Sequence, residues 1–178
     1  MKDLFGADIP EADEVISYLR EADKETINSR ARNLSFICSI APDGNFLMPT
    51  ETYHVFTEAR DAFVNGLYVG AILLSQAFIE HRLQSFMYEI GENKIAEKGL
   101  GGILRCLMVI RPNLNFILNK IDQLRMFRNP FTHLKSFDHP YTITQVALAK
   151  GENSNLILYE KAKDAIALMY TVATIELR

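Results

Sequence analysis

The densest set of reactive side chains in the sequence falls in RMFRNPFTHLK, residues 125–135. Arg125, Arg128, Asn129, His133 and Lys135 all lie within it. An imidazole titrates near neutral pH and can move a proton, while a guanidinium presents a fixed fork of donors that matches phosphate. Together they are the parts of a phosphate-handling site: a general acid or base beside a cation that stabilises developing negative charge.

The spacing sets a geometric problem. Arg128 and His133 are five residues apart, about 140° around an ideal helix, so one straight helix does not bring them together. Pro130 offers one solution, because it has no backbone N–H and biases Asn129 away from helical geometry. An Asn before a Pro suits an N-cap followed by a first helical residue. This predicts that one helix ends near Arg128 and a short new one starts at Pro130, with free N–H groups aimed at a phosphate. A two-fold dimer offers the other solution, setting Arg128 of one copy beside His133 of its partner. The plain alternative is a polar seam in which the pair caps helix ends and bridges to a carboxylate such as Glu80.

Charge narrows the partners. A formal net charge of −3 and a pI near 5.8 count against a protein that coats nucleic acid. Between Lys120 and His139 the balance reverses: Lys120, Arg125, Arg128 and Lys135 face Asp122 and Asp138, with His133 and His139 in addition. That is where an anionic ligand is attracted, and Arg125, Lys135 and His139 are the expected auxiliary phosphate or RNA contacts. His54, His81 and His139 show no ligand spacing with one another or with cysteine, so neither a metal nor another cofactor is expected. The glycines of KGLGGIL (98–104) lack the Lys-Ser/Thr of a phosphate loop and follow no strand. Close helix–helix approach is their expected role. Cys38 and Cys106 read as small buried residues in a reducing, cytoplasmic setting. No secretory signal or membrane span is visible.

The elements that must position these groups read as almost entirely helical. An amphipathic helix after Pro10 carries Val15, Ile16, Leu19 and Ile27, and APDGNF (41–46) closes it. Thr50 is the expected N-cap of a second helix, interrupted near Asn65-Gly66 before an apolar run to about Ile90. In that run Gln76, Glu80 and Gln84 recur at helical spacing, as a solvated or inter-subunit stripe. A third segment spans about 95–110. A fourth, LNFILNKIDQLRMF, places Leu114, Ile117, Leu118, Ile121, Leu124 and Phe127 on one stripe. Residues 141–149 fit a short strand or a short helix. A last helix covers about 159–177. The expectation is one all-α domain over 1–178, an up-and-down bundle of four to five helices with an additional N-terminal helix. Residues 1–45 hold that extra helix and its turn, and 50–178 the bundle.

The sequence Arg-Asn-x-x-x-His at 128–133, late in a helical chain after an amphipathic helix, resembles the signature of HEPN domains, the higher eukaryotes and prokaryotes nucleotide-binding family. The helix ending in AFIEHRLQ (77–84) is similar to the earlier core helix of that fold. The resemblance implies a metal-independent endoribonuclease that works as a homodimer and leaves a 2′,3′-cyclic phosphate. It implies His133 as acid or base, Arg128 as the phosphate holder, and Asn129 and Glu80 in support. It also implies a toxin–antitoxin or defence setting with an antitoxin-like protein partner. Lys135 stands where some toxin-type members carry Tyr, and Pro130 interrupts a segment drawn there as continuous helix. A non-catalytic helical module for dimerisation or for nucleotide or RNA binding is the alternative.

Overall fold

A computed structural model describes residues 11–43 and 46–175. Among these the chain is all-α, a helical bundle with no strand. The helices are α1 (Ala12–Ile40), α2 (Thr50–Val64), α3 (Tyr68–Glu89), the single turn α4 (Asn93–Ala96), α5 (Gly99–Ile110), α6 (Asn115–Thr132), α7 (Ile143–Lys150) and α8 (Ser154–Thr174). A 3₁₀ turn, Pro112–Leu114, leads into α6.

The apolar run of α3 is the centre of the bundle. It packs most extensively against α2 and α8 and also touches α4, α5 and α6. Ala71, Ile72, Phe78, Ile79 and Met87 are each fully buried on it, so apolar residues on most of its circumference meet neighbours, as a helix apolar all round requires. Phe56 of α2 fits between Phe78 and Tyr170, with ring centroids 5.2 Å from each. Such tilted and edge-on aromatic pairs add about 0.5–1.5 kcal/mol beyond their burial.

Breaks fall where the backbone chemistry demands them. Gly66 (φ 77°) and Gly91 (φ 81°) follow the ends of α2 and α3 in the left-handed region open to glycine. The expected third segment is two pieces, because Gly99 at φ 68° separates α4 from α5. At Arg111 and Pro112 the chain turns, and α6 leaves at 116° to α5. Residues 143–150 are helix: the Thr142 hydroxyl accepts the Gln145 N–H, and Gly151 closes the element at φ 66°.

Several expectations are corrected. Thr50 is the first residue of α2 rather than its cap, Pro49 occupies the cap position, and no side chain caps this end. The last helix starts at Ser154, five residues before Tyr159, because the Asn153 side chain accepts the Asn155 N–H at 2.8 Å. Leu177 at its expected end lies outside the described residues. Neither cysteine is fully buried: Cys38 is exposed, since α1 meets the bundle by a narrow strip only, and Cys106 on α5 is half-buried. That strip is Asn33 and Ile37; the Asn33 amide donates to the Phe63 carbonyl at 2.9 Å, tying α1 to the end of α2.

Candidate functional site

α6 carries the reactive segment. Its stripe forms as expected, with Leu114, Leu118, Ile121, Leu124 and Phe127 buried and Ile117 partly so. Burying that stripe fixes the rotation of the helix, so Arg125, Arg128, Asn129 and Thr132, spaced by three and four, share another face. The helix does not end at Arg128. It runs through Pro130 to Thr132, and His133 is its C-cap, with extended backbone (φ −137°, ψ 122°).

This overturns the expected helix start at Pro130. The proline lies in the last turn, and three contacts hold that turn across it. Phe131 packs on Phe127 with ring centroids 5.7 Å apart. The Thr132 hydroxyl donates to the Asn129 carbonyl at 3.2 Å, and the His133 N–H donates to the same carbonyl at 2.9 Å. The site therefore sits at the carbonyl end of a helix, and the N–H cradle expected for phosphate does not form there.

What the end of α6 does provide is two reactive groups without charged partners. Arg128 Nη1 donates to Thr132 Oγ1 at 3.0 Å, and no carboxylate pairs with it among the described residues. His133 is exposed, and its ring has no hydrogen-bond partner there either. No hydrogen bond joins Arg128 to His133 within the chain. His133 has left the helix, so the angular separation of a straight helix no longer governs the pair.

The remaining residues divide. Lys135 is half-buried, without a carboxylate partner among the described residues, and remains available to an anion. His139 accepts the Tyr141 N–H at Nδ1 (3.3 Å), which leaves Nε2 to carry the proton of the neutral ring. Beside it, a hydrogen bond from Ser136 and one from its own backbone hold the Asp138 carboxyl below its usual range, with a smaller contribution from His139.

Arg125 is already neutralised. Its Nε meets Asp122 Oδ1 at 2.8 Å, and its guanidinium lies where a Cβ on Gly101 would contact it, at 3.6 Å. Glu80 has a different role again: its Oε1 accepts the Leu100 N–H at 2.8 Å and so caps α5, which has no cap of its own. Arg125 and Glu80 thus flank the first turn of α5 rather than the end of α6. Gly101 is where α5 and α6 approach closely, as expected; Gly102 instead lies against Lys98 of the preceding turn, where a Cβ would come within 2.5 Å. Gln76 is buried, not solvated.

No family model, curated protein or solved structure matches the chain. Among the described residues no group of His, Cys, Asp and Glu could hold a metal ion, and no single helix is long and apolar enough to cross a membrane.

Sequence reasoning missed two features. Thr132 positions Arg128, and its signal was the four-residue spacing that makes them helical neighbours. Leu134, Phe137 and Tyr141 are exposed beside the motif, Leu134 fully. Phe137 lies in an irregular segment, where helical periodicity gives no guidance.

Proposed function

We propose that the chain is a HEPN-type, metal-independent endoribonuclease acting as a homodimer, in a toxin–antitoxin or defence setting. The observation that carries this reading is the uncompensated Arg128 guanidinium, aimed along the last turn of α6 by Thr132, with the unpartnered His133 imidazole immediately beyond. An arginine without a carboxylate is a ready receptor for phosphate.

In the reaction, the ribose 2′-oxygen bonds to phosphorus and the bond from phosphorus to the 5′-oxygen breaks. His133 takes the 2′-hydroxyl proton or supplies one to the departing 5′-oxygen. Arg128 stabilises charge on the non-bridging oxygens, and the product is a 2′,3′-cyclic phosphate. The two residues are supplied across the dimer, Arg128 from one copy and His133 from the other. Asn129, Lys135 and His139 extend the contact along the RNA backbone. Exposed Phe137 and Tyr141 offer faces on which unpaired bases stack.

One observation favours a second reading, a non-catalytic module that holds RNA or a nucleotide. The helix end at the site presents carbonyls rather than N–H groups, so less preorganised charge stabilisation awaits a transition state.

Incubating the protein with RNA in EDTA separates the readings. Cyclic-phosphate ends, lost in both Arg128→Ala and His133→Ala, support the nuclease. An inert wild type that retains RNA, with retention lost in Arg128→Ala, replaces the nuclease by the binding module. Recovery of cleavage on mixing the two variants supports a site shared between copies.

A further inference from the structure

The first half of α1 is exposed along its whole length. From Glu11 to Asn28 no residue is buried, although Val15 (40%), Ile16 (43%), Leu19 (61%) and Ile27 (56%) expose large apolar side chains. The sequence leads one to expect these residues against the bundle, and the structure corrects this: α1 first meets the body at Asn33 and Ile37. The free arm is about 25 Å long at 1.5 Å per residue. An isolated helix of that length is marginal in water, and its stability normally comes from packing its apolar face. The four residues share a face by helical spacing.

A groove of complementary character lies between α6 and α8. It encloses about 460 Å³, with Phe116, Leu124, Phe127 and Leu168 among its apolar walls and Lys120 and Lys161 beside them. Phe116 is 73% exposed. Lys120 Nζ lies 4.4 Å from the centre of the Phe116 ring, and no carboxylate pairs with it among the described residues. Lys161 lies 5.8 Å over Phe127 and reaches Asp164, which also lines the groove, at 3.7 Å.

We propose that the α1 arm of a second copy of this chain fills the α6–α8 groove, and that the exchange is reciprocal. Charge and size both argue for this occupant. Between Glu11 and Asn28 the arm carries six carboxylates against two cations, and two lysines flank the groove. The stripe from Val15 to Ile27 spans about 18 Å, and the α6 wall from Phe116 to Phe127 about 16 Å. A chain's own arm does not reach its groove, because α1 is one unbroken helix attached on the other side of α8. Lys163 contacts Phe36 of α1 there, two residues from Lys161 and so about 200° around the helix. Reciprocal exchange closes the assembly at two copies.

This inference deepens the homodimer part of the functional reading and rests on it, while remaining independent of whether RNA is cut. Light scattering during gel filtration of the full chain tests it at micromolar concentration. The arm variant is Ile16→Glu with Leu19→Glu, and the groove variant is Lys120→Glu with Lys161→Glu. All four positions are at least partly exposed, and circular dichroism checks that each variant folds. Wild type runs as a dimer and each variant as a monomer. An equimolar mixture of the two variants recovers dimers, because the intact groove of the first accepts the intact arm of the second. If the arm variant alone is monomeric, arms pair with arms and the proposal falls. If the groove variant alone is monomeric, grooves pair with grooves and it falls equally. A dimeric wild type unaffected by either variant overturns this inference and leaves the homodimer standing, whereas a monomeric wild type overturns both.

Discussion

Arg128 Nη1 and Thr132 Oγ1 are 3.0 Å apart on the last turn of α6, immediately before the helix gives way to His133. The contact joins side chains one turn apart, and it directs a long flexible cation toward the end of the helix. Its worth is that of a positioning hydrogen bond rather than of a group that touches the reacting atoms.

Thr132→Val removes the hydroxyl and keeps the shape. Losing a hydrogen bond worth about 1 kcal/mol is expected to lower kcat/KM for RNA roughly fivefold. Thr132→Ser restores most of it, and Arg128→Ala costs roughly 100-fold or more, as loss of a charge-stabilising donor does. Equal cleavage by Thr132→Val and wild type shows that the contact plays no part in positioning.

The resemblance implies Glu80 as a supporting site residue, yet its carboxylate caps α5 through the Leu100 N–H at 2.8 Å. Glu80→Ala is expected to destabilise the fold by about 1.5–3 kcal/mol, the range for a bond to a charged acceptor, and Glu80→Gln by less. Urea unfolding measures both. Cleavage per folded molecule stays unchanged; a fall in cleavage at constant stability returns Glu80 to the site.

Gln76 is 1% exposed on α3, and neither its amide oxygen nor its nitrogen has a hydrogen-bond partner among the described residues. A buried polar group left in that state costs about 1–3 kcal/mol. Gln76→Met, close in volume, is expected to raise the urea midpoint by an amount equivalent to about 1–2 kcal/mol. A lower midpoint means that the amide is satisfied in solution.

Burial pushes the Tyr170 hydroxyl above its ordinary titration range, with Arg60 partly opposing. The unfolded chain then releases this proton at lower pH than the folded chain does. The neutral form's contribution is complete below about pH 10, the unfolded value, and is lost as pH climbs through the higher folded value. Thermal midpoints are therefore expected to fall above about pH 10 more steeply for wild type than for Tyr170→Phe. Parallel curves refute the assignment.

By itself the sequence determined the helical class, the core stripe of α6 and most of the breaks, because these follow from local periodicity and from glycine and proline chemistry. It also singled out Arg128 and His133 as the candidate pair, since residue type alone defines what they can do. Tertiary structure decided the rest. Pro130 reads locally as a helix start, yet Phe127 against Phe131 and the Asn129 carbonyl hold the turn closed around it. Glu80 and Arg125 were drawn to the first turn of α5, a position set by how α3, α5 and α6 cross and by nothing within any one of them. The apolar stripe of α1 predicts burial, but a stripe specifies only that a surface wants covering. Which surface covers it is fixed by where the helix leaves the bundle, and α1 leaves at Asn33 with its first half in water.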